Sequence, residues 1–463
     1  MHIITSLSLH NTKTNLEKQI SQTSSILESS RPCRINIFFE YHSYPRSPKK
    51  KRDAMAQKQS TDILELFNQK PLVKICAPMV RYTKLQFRTL LRQYDCDLVF
   101  TPMILADSFC KSPKARNNEF TTNLLDTPLI TQFAANNVHD FVGASYLAAP
   151  HCDGVDLNCG CPQRWAKDMN LGCELLKTPQ KIFQLVRECR NRIAKPFTVS
   201  VKTRIQKCDK DNVYLCKELE KCGVSFVTIH ARTASNNVGP INEDALKLIS
   251  ESVQIPIIGN GGITNLESCY ELQEKTGIKG VMVANGILNN PEIFMGVKVT
   301  SMECVQEWLD ICYNSTLTLE VFDKTVSTNT TVIPEKPFNL TFQCFHHHLV
   351  FMLDKILSRR QRQIFNNLKT FSSTLDFLNE NFGLRPQLFA RERFLKTMPL
   401  KLNYDSRNSV YEELKPEVEE AKVGDFITYD YDKCDGKYFK SYDDIKKLNN
   451  SDCDWSNIFI ENG

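Results

Sequence analysis

The chain has 463 residues, of which 41% are hydrophobic and 24% are charged, a composition typical of a folded globular protein. No apolar run reaches the roughly 18 residues that span a bilayer, and the N-terminus lacks the apolar core of a secretory signal, so we expect neither a membrane protein nor a secreted one. The formal net charge is +5, but residues 405–463 carry 15 Asp and Glu against 8 Lys and Arg, which leaves a basic body that suits a polyanionic partner such as RNA.

The N-terminal segment, residues 1–69, precedes the first patterned part of the chain. Residues 1 to about 60 are rich in Ser, Thr and Asn and lack sustained hydrophobic periodicity, so we expect a mostly disordered extension. The basic run Lys49–Arg52 could be a nuclear-import signal, an RNA-contacting arm or a solvated charge cluster. The expected location is therefore the cytoplasm, with the nucleus as an alternative.

Eight short apolar runs follow from about residue 70, at spacings of roughly 25 to 45 residues. They are rich in Val, Ile and Leu and alternate with helical patterns such as Pro179–Ile193 and Asp209–Cys222, which indicates a parallel sheet covered on both faces. Eight such units predict an α/β fold, a (β/α)8 TIM barrel, over residues 70–300. The runs begin at Leu72, Asp97, Leu129, Val155, Phe197, Phe226, Ile255 and Gly280.

After residue 300 the strand pattern gives way to helical spacing of apolar residues, which predicts a C-terminal all-α domain over residues 301–384. The predicted helices are Met302–Thr316, Phe345–Lys369 and Ser372–Asn381. A Thr- and Asn-rich insert near residues 317–340 is expected to be a loop. Residues 385–463 form an acidic, irregular tail that could dock locally or stay disordered.

Polar and glycine residues stand at the carboxyl ends of the predicted strands, where barrels of this type place their functional groups. The set in chain order is Pro78 and Met79, Met103, Gln132, Asn158 with Cys161, Lys202, His230 with Arg232, Asn260 with Gly261 and Gly262, and Ala284 with Gly286.

Each part of this set suits the binding of a phosphorylated ring system. The glycines after the last two strands can bring backbone N–H groups close to a phosphate. Lys202 and His230 can add charge and hydrogen bonds, and Gln132 and Asn158 offer amide groups to the edges of a ring. The end of the first strand adds an apolar seat.

Cys161 is the reactive candidate, because it follows glycine, precedes proline and lies on the loop after the fourth strand. Its thiol is mostly protonated at neutral pH and can donate a proton, although Cys159 remains a rival. A zinc site of His151, Cys152, Cys159 and Cys161 is an alternative without a matching second ligand pair. The side chains of His346–His348 point in different directions along a helix, so we predict no metal there.

Six segments carry a resemblance to a known family. They are CAPMVRYTKLQFRTLLRQY from Cys76, DLNCGCPQRWA from Asp156, SVKTRI from Ser200, TIHART from Thr228, NGGITNLE from Asn260 and CFHHHLVFMLDKILSRRQRQIFNNL from Cys344. On these segments, residues 70–384 resemble the tRNA-dihydrouridine synthases, in particular the branch that acts on positions 20a and 20b of the tRNA D-loop.

The resemblance implies an oxidoreductase that reduces the C5=C6 bond of a D-loop uridine in tRNA, with FMN as cofactor and NADPH or NADH as reductant. It makes Cys161 the general acid that protonates C5, with Asn158 and Arg232 near the flavin or the uracil. It implies tRNA contacts on the helical domain from Lys355, Arg359 and Arg360, with Arg362 and Lys369 beside them. The implied FMN-binding residues are Pro78, Met79, Gln132, Lys202, His230, Asn260, Gly261, Gly262, Ala284 and Asn285.

Two positions depart from the family pattern at the phosphate end of the flavin site. The usual Asn-Gly-Asp turn is Asn260-Gly261-Gly262 here, and the usual arginine after the eighth strand is Asn285. If that arginine mainly supplies charge, FMN should bind more weakly; if backbone N–H groups hold the phosphate, its loss is tolerable. Two alternatives therefore stay open: an RNA-binding paralogue with lost flavin catalysis, and another FMN barrel that reduces small pyrimidines.

Overall fold

The computed structural model describes residues 61–193, 195–236, 238–328 and 337–404, which all belong to one compact unit. The basic run Lys49–Arg52 and the acidic segment 405–463 lie outside the described residues. The predictions made for them, including the nuclear alternative, therefore stay predictions.

A closed parallel barrel forms the centre of the fold. Its sheet order is β2-β1-β9-β8-β7-β6-β5-β4-β3, and an additional β2–β4 pairing closes eight of the nine strands into a ring. The predicted (β/α)8 barrel is thus confirmed, and each of the eight predicted runs contains a strand. The strands are β1 (Val73–Cys76), β2 (Leu98–Phe100), β3 (Ile104–Leu105), β4 (Leu129–Ala134), β5 (Gly154–Cys159), β6 (Thr198–Arg204), β7 (Phe226–His230), β8 (Ile257–Asn260) and β9 (Gly280–Val283).

The barrel interior is polar at alternate strand positions, and this alternation decides which side chains reach the site. Asp156 is the register partner of both Gln132 and Ser200, and its carboxylate accepts hydrogen bonds from both side chains. Because successive side chains point to opposite faces, the intervening Val155 and Leu157 lie on the outer face, where both are fully buried. Strand β3 was not predicted, since it has two residues and pairs only with β4.

Helices cover the outside of the barrel. The predicted helices at 179–193 and 209–222 correspond to α7 and α8, and α7 begins at Pro179, a residue suited to the first helical position. Helix α1 lies within residues 1–69, the predicted N-terminal extension. Because Ile63 of this helix is fully buried, the folded part of the chain begins before residue 70. The helices are α1 (Ile63–Gln69), α2 (Leu85–Leu91), α3 (Ala106–Lys111), α4 (Pro113–Glu119), α5 (Val138–Ala148), α6 (Arg164–Asp168), α7 (Pro179–Arg192), α8 (Asp209–Lys221), α9 (Glu243–Ser252), α10 (Leu266–Thr276) and α11 (Asn285–Asn289), with 3-10 turns at Gly172–Lys177 and Ile293–Met295.

A purely helical region follows the barrel, as predicted, with two corrections. The single helix expected over 345–369 is two helices, because Ser358 and Gln361 form a capping box that starts a new one. The loop expected near 317–340 was wrong for Leu319–Thr328, which is helical. The helices are α12 (Met302–Asn314), α13 (Leu319–Thr328), α14 (Phe342–Leu353), α15 (Arg359–Asn366), α16 (Phe371–Phe382) and α17 (Arg391–Thr397).

The first twenty residues of the acidic tail dock onto the rest of the chain. The backbone N–H of Leu400 donates to the carbonyl of Thr122 over 2.9 Å, and the Tyr404 ring packs against Phe109 and His151. Of the two alternatives left open for the tail, docking therefore holds over residues 385–404. Within the described ranges, no helix combines the length and apolar character needed to cross a membrane.

Candidate active site

A buried chain of polar side chains crosses the barrel below its carboxyl end. The carboxylate of Asp156, fully buried, accepts hydrogen bonds from Gln132 Nε2 at 2.8 Å and Ser200 Oγ at 2.6 Å. Burial raises the pKa of Asp156 to about 6, although the two hydrogen bonds oppose this shift. Gln132 Oε1 in turn accepts from Asn158 Nδ2 at 2.9 Å. Asp156 therefore fixes the orientation of Gln132 and, through it, of Asn158.

Sequence reasoning missed Asp156 as a site residue, although a signal was present. The run from Val155 reads as a buried strand, and a carboxylate inside such a run needs a partner. Its spacing of two from Asn158 places both side chains on the inner face. The missing information was which residues of the neighbouring strands stand opposite, and only the strand register supplies that.

The loop that carries Cys161 is held from three sides. The side-chain oxygen of Asn158 accepts from the backbone N–H of Gly160 at 3.2 Å and of Cys161 at 3.0 Å. Arg204 Nε donates to the Gly160 carbonyl at 2.7 Å, and the N–H of Cys173 donates to the Cys161 carbonyl at 3.0 Å. These contacts fix the backbone on which the thiol stands.

The Cys161 thiol is half-buried beside a small apolar cluster that includes Leu171 and Trp165. Burial raises its pKa and outweighs the opposing influence of a backbone hydrogen bond at Gln163 and of nearby cations. The thiol is therefore protonated at neutral pH and able to donate a proton. Cys159 is fully buried one strand position from Asn158, so it lies on the outer face and cannot serve the site.

Three cations converge around His230 at the barrel mouth. Burial, with Arg204 second, lowers the pKa of Lys202 to about 8, and burial lowers the pKa of Arg204 to about 10. Burial, Arg204, Lys202 and Arg232 together lower the pKa of His230 far below its usual range, so its imidazole is neutral. A cluster of partly or fully buried positive groups is a candidate anion-binding site. Arg204 is the second site residue that sequence reasoning missed.

A glycine turn after β8 lies against the same group. Gly261 has φ +113° and Gly262 has φ +76°, both in the left-handed half of backbone space that glycine favours. A Cβ on Gly261 would lie 3.1 Å from the His230 ring and 3.2 Å from an Arg232 guanidinium nitrogen. The turn therefore packs closely against His230, Arg232 and Ile241, and the Ile241 side chain is the nearest of the three to that Cβ at 3.0 Å.

The remaining predicted flavin-binding residues lie after β8, β9 and β1. Asn260 Nδ2 donates to the Met282 carbonyl at 2.8 Å, so this side chain ties β8 to β9. Ala284 is partly buried at the start of α11, and Asn285 is exposed there. Met79 is buried in the turn after β1, next to a partly buried Pro78.

The predicted tRNA contacts lie on the helical region and not among the strand ends. Lys355 is exposed after α14, and Arg359 and Arg360 are exposed in the first turn of α15. Arg362 is paired with Asp354 at 3.1 Å.

The zinc alternative finds no support in the geometry. The His151 ring packs against Tyr404, and the Cys152 thiol donates to the Ala148 carbonyl at 3.3 Å. The histidines of α14 have three separate hydrogen-bond partners. In the part of the chain that the structure covers, no group of three or more ligating side chains is arranged to hold a metal ion.

Comparison with known proteins finds similar sequences over most of the chain. The family profile described as dihydrouridine synthase matches residues 75–391. A tRNA-dihydrouridine(20a/20b) synthase-like protein of Mus musculus is 43% identical over 330 residues, which are 71% of this chain and 95% of the relative. The tRNA-dihydrouridine(20a/20b) synthase of Schizosaccharomyces pombe is 36% identical over 329 residues, covering 71% of this chain and 93% of the relative. The names of both specify NAD(P)+.

Proposed function

The chain belongs to the dihydrouridine synthase family, and from that premise we propose that it reduces the C5=C6 bond of a tRNA uridine with FMN and NADPH or NADH. The relatives' names favour position 20a or 20b of the D-loop as the target. The observation that carries the proposal is the position of the Cys161 thiol, whose backbone Asn158 holds at the barrel mouth, near Lys202 and Arg204.

The residues present fit FMN. Arg232 and the N–H groups of the Gly261–Gly262 turn would hold the phosphate, Lys202 would offset charge on the reduced ring, and Met79 would supply the apolar seat. With the phosphate on Arg232 and backbone N–H groups, the absence of an arginine at 285 would be tolerable. Once bound, the flavin supplies the hydride for the reduction.

Side chains of the protein supply the proton and orient the residues around the proton donor. Cys161 gives its proton to C5 of the uracil, and Lys202 and Arg204 stabilise the thiolate that is left. Asn158 holds the Cys161 backbone and faces the site next to Gln132, which Asp156 keeps in one orientation. Because C5 and C6 are hidden in stacked RNA, the target base must leave the loop to reach the barrel mouth.

The test uses the full chain, purified, with its visible absorbance recorded for bound flavin. We expect a yellow protein that converts a uridine in unmodified tRNA to dihydrouridine when NADPH or NADH is added, measured by mass spectrometry of tRNA digests. A colourless protein that still binds tRNA would favour the catalytically lost paralogue. Turnover of free uridine without RNA would favour a small-pyrimidine reductase.

The exposed arginines at the start of α15 are expected to contact tRNA phosphates. The double change Arg359→Glu and Arg360→Glu should weaken tRNA binding by roughly tenfold or more and reduce the slope of log affinity against log salt by about 2, since each phosphate contact contributes about 1. Filter binding across a salt series measures both.

The matched control changes two exposed lysines on barrel helices, Lys217→Glu on α8 and Lys247→Glu on α9, which alters net charge by the same amount. Equal losses of affinity in both double variants would show that tRNA senses net charge alone. The assignment of α15 to the tRNA surface would then be wrong.

A further inference from the structure

The three consecutive histidines of α14 bond to two different parts of the chain. His346 Nε2 lies 2.9 Å from the Phe365 carbonyl of α15, His347 Nδ1 lies 3.2 Å from the Tyr82 hydroxyl, and His348 Nε2 lies 3.1 Å from the Tyr82 carbonyl. Two of the three therefore reach the loop that follows β1, at the mouth of the barrel.

His348 occupies a site that otherwise suits a hydrocarbon. It is fully buried, and its ring packs 4.3 Å from Phe87, 4.6 Å from Trp308 and 5.5 Å from Tyr82, measured between ring centroids. Its Nδ1 has no hydrogen-bond partner among the described residues. The cage is aromatic, so a phenylalanine ring would fit the same space but would leave the Tyr82 carbonyl without this hydrogen bond. What the histidine adds is a directed N–H toward the Tyr82 carbonyl.

The loop that receives this hydrogen bond holds a strained backbone. Arg81 has φ +73°, a left-handed conformation that is unfavourable for a residue with a side chain. The buried Cys344 thiol, also on α14, donates to the Arg81 carbonyl at 2.8 Å. Such a conformation persists only where its surroundings enforce it, and those surroundings include the side chains of Cys344, His347 and His348.

The same loop closes around Met79. The backbone N–H groups of Tyr82 and Thr83 both donate to the Met79 carbonyl at 3.1 Å, and the Met79 N–H donates to Thr83 Oγ1 at 3.1 Å. A shift of Tyr82 would therefore move Met79, the residue assigned to the apolar side of the flavin site.

We propose that His348 is a positioning residue which, with His347 and Cys344, fixes the Met79–Thr83 turn from the helical region and thereby sets the apolar side of the flavin site. The proposal rests on the proposed function only for the identity of the ligand at Met79. His346 takes no part, because its partner is Phe365.

The test compares three variants of the full chain: His348→Phe, His348→Gln and His346→Phe. Phenylalanine keeps the ring in its cage and removes the N–H donor, whereas glutamine restores a donor near the position of Nε2. In His348→Phe we expect the amides of residues 79–83 to exchange hydrogen about fivefold faster. We also expect the Kd for FMN, titrated into flavin-free protein, to rise about fivefold. Both factors correspond to the free energy of one lost hydrogen bond. His348→Gln should restore both values toward the wild type.

His346→Phe is the matched control, since it removes a histidine hydrogen bond from the same helix without touching the loop. Unchanged exchange at residues 79–83 and unchanged FMN affinity in His348→Phe would overturn the proposal. So would equal losses in His346→Phe, because the effect would then be general to α14. If the wild-type chain binds no FMN, the proposed function fails, while the exchange measurement still decides whether His348 holds the turn.

Discussion

Replacement of Cys161 by alanine is expected to lower the rate of dihydrouridine formation by about 10²- to 10⁴-fold while flavin stays bound, because the change removes a general acid and leaves the cationic end of the site intact. Single-turnover assays on unmodified tRNA measure the rate, and the visible spectrum of the variant measures the bound flavin. Loss of activity together with loss of flavin would point to a structural role for Cys161 instead.

The pH dependence of the rate should identify the thiol as the acid. Burial raises the pKa of Cys161, so the acid form is fully present at neutral pH and is lost as the pH rises through that raised pKa. The wild-type rate is therefore expected to be level near neutrality and to fall in alkaline solution. In Cys161→Ser the rate should be low throughout, without this alkaline fall, since a hydroxyl does not ionise in that range.

Two neighbouring thiols serve as controls for Cys161. Cys159 is buried on the outer face of β5. The backbone N–H of Cys173 donates to the Cys161 carbonyl, and its thiol adds a smaller contribution than burial does to the raised pKa of Cys161. Cys159→Ala and Cys173→Ala should each keep the rate within a small factor of the wild type. A loss of several hundredfold in Cys159→Ala would reopen the choice between the two cysteines of the Asn-Cys-Gly-Cys-Pro segment.

The strand pattern and the position of Cys161 at the barrel mouth could be predicted from the sequence because both depend on local information. Eight buried runs with helices between them define the barrel, and the place of Cys161 after the fourth run puts it at the mouth. Asp156 and Arg204 were not predicted as site residues, because their roles depend on partners in other strands and loops, namely Gln132 with Ser200, and the Gly160 carbonyl. Pairings of this kind follow from the register of a closed sheet and from loop geometry.

The errors in the helical region have a similar cause. The Thr- and Asn-rich composition of the 317–340 insert favoured a loop, yet residues 319–328, which include two Thr and no Asn, form α13 and stack Phe322 on Phe394 of α17 at 4.0 Å between ring centroids. Tertiary packing outweighs the local preference there. The break before α15, by contrast, had a visible signal in the Ser358 and Gln361 capping pair, which the apolar periodicity on either side concealed.

Substitution of Gly172 is expected to lower the rate as much as substitution of a residue that touches the substrate, because any side chain at this position would collide with Cys161. Gly172 has φ +61°, and a Cβ there would lie 2.5 Å from the Cys161 carbonyl oxygen and 2.9 Å from the Cys161 Cβ. Gly172→Ala should therefore displace the thiol and lower the single-turnover rate by about 10²-fold, the cost of a misplacement near 1 Å, with flavin retained.

Two controls separate this displacement from other effects of adding a methyl group. Gly383→Ala introduces the same left-handed strain, at φ +70°, with nothing within 4 Å of the new Cβ, so it should cost about 1 kcal/mol of stability and no activity. Gly160→Ala adds a methyl group beside Cys161 with its nearest neighbour at 3.4 Å, and should be tolerated. If Gly172→Ala kept the wild-type rate, the loop would be adaptable. The contacts of Asn158, Arg204 and Cys173 with the Cys161 loop would then not determine the position of the thiol.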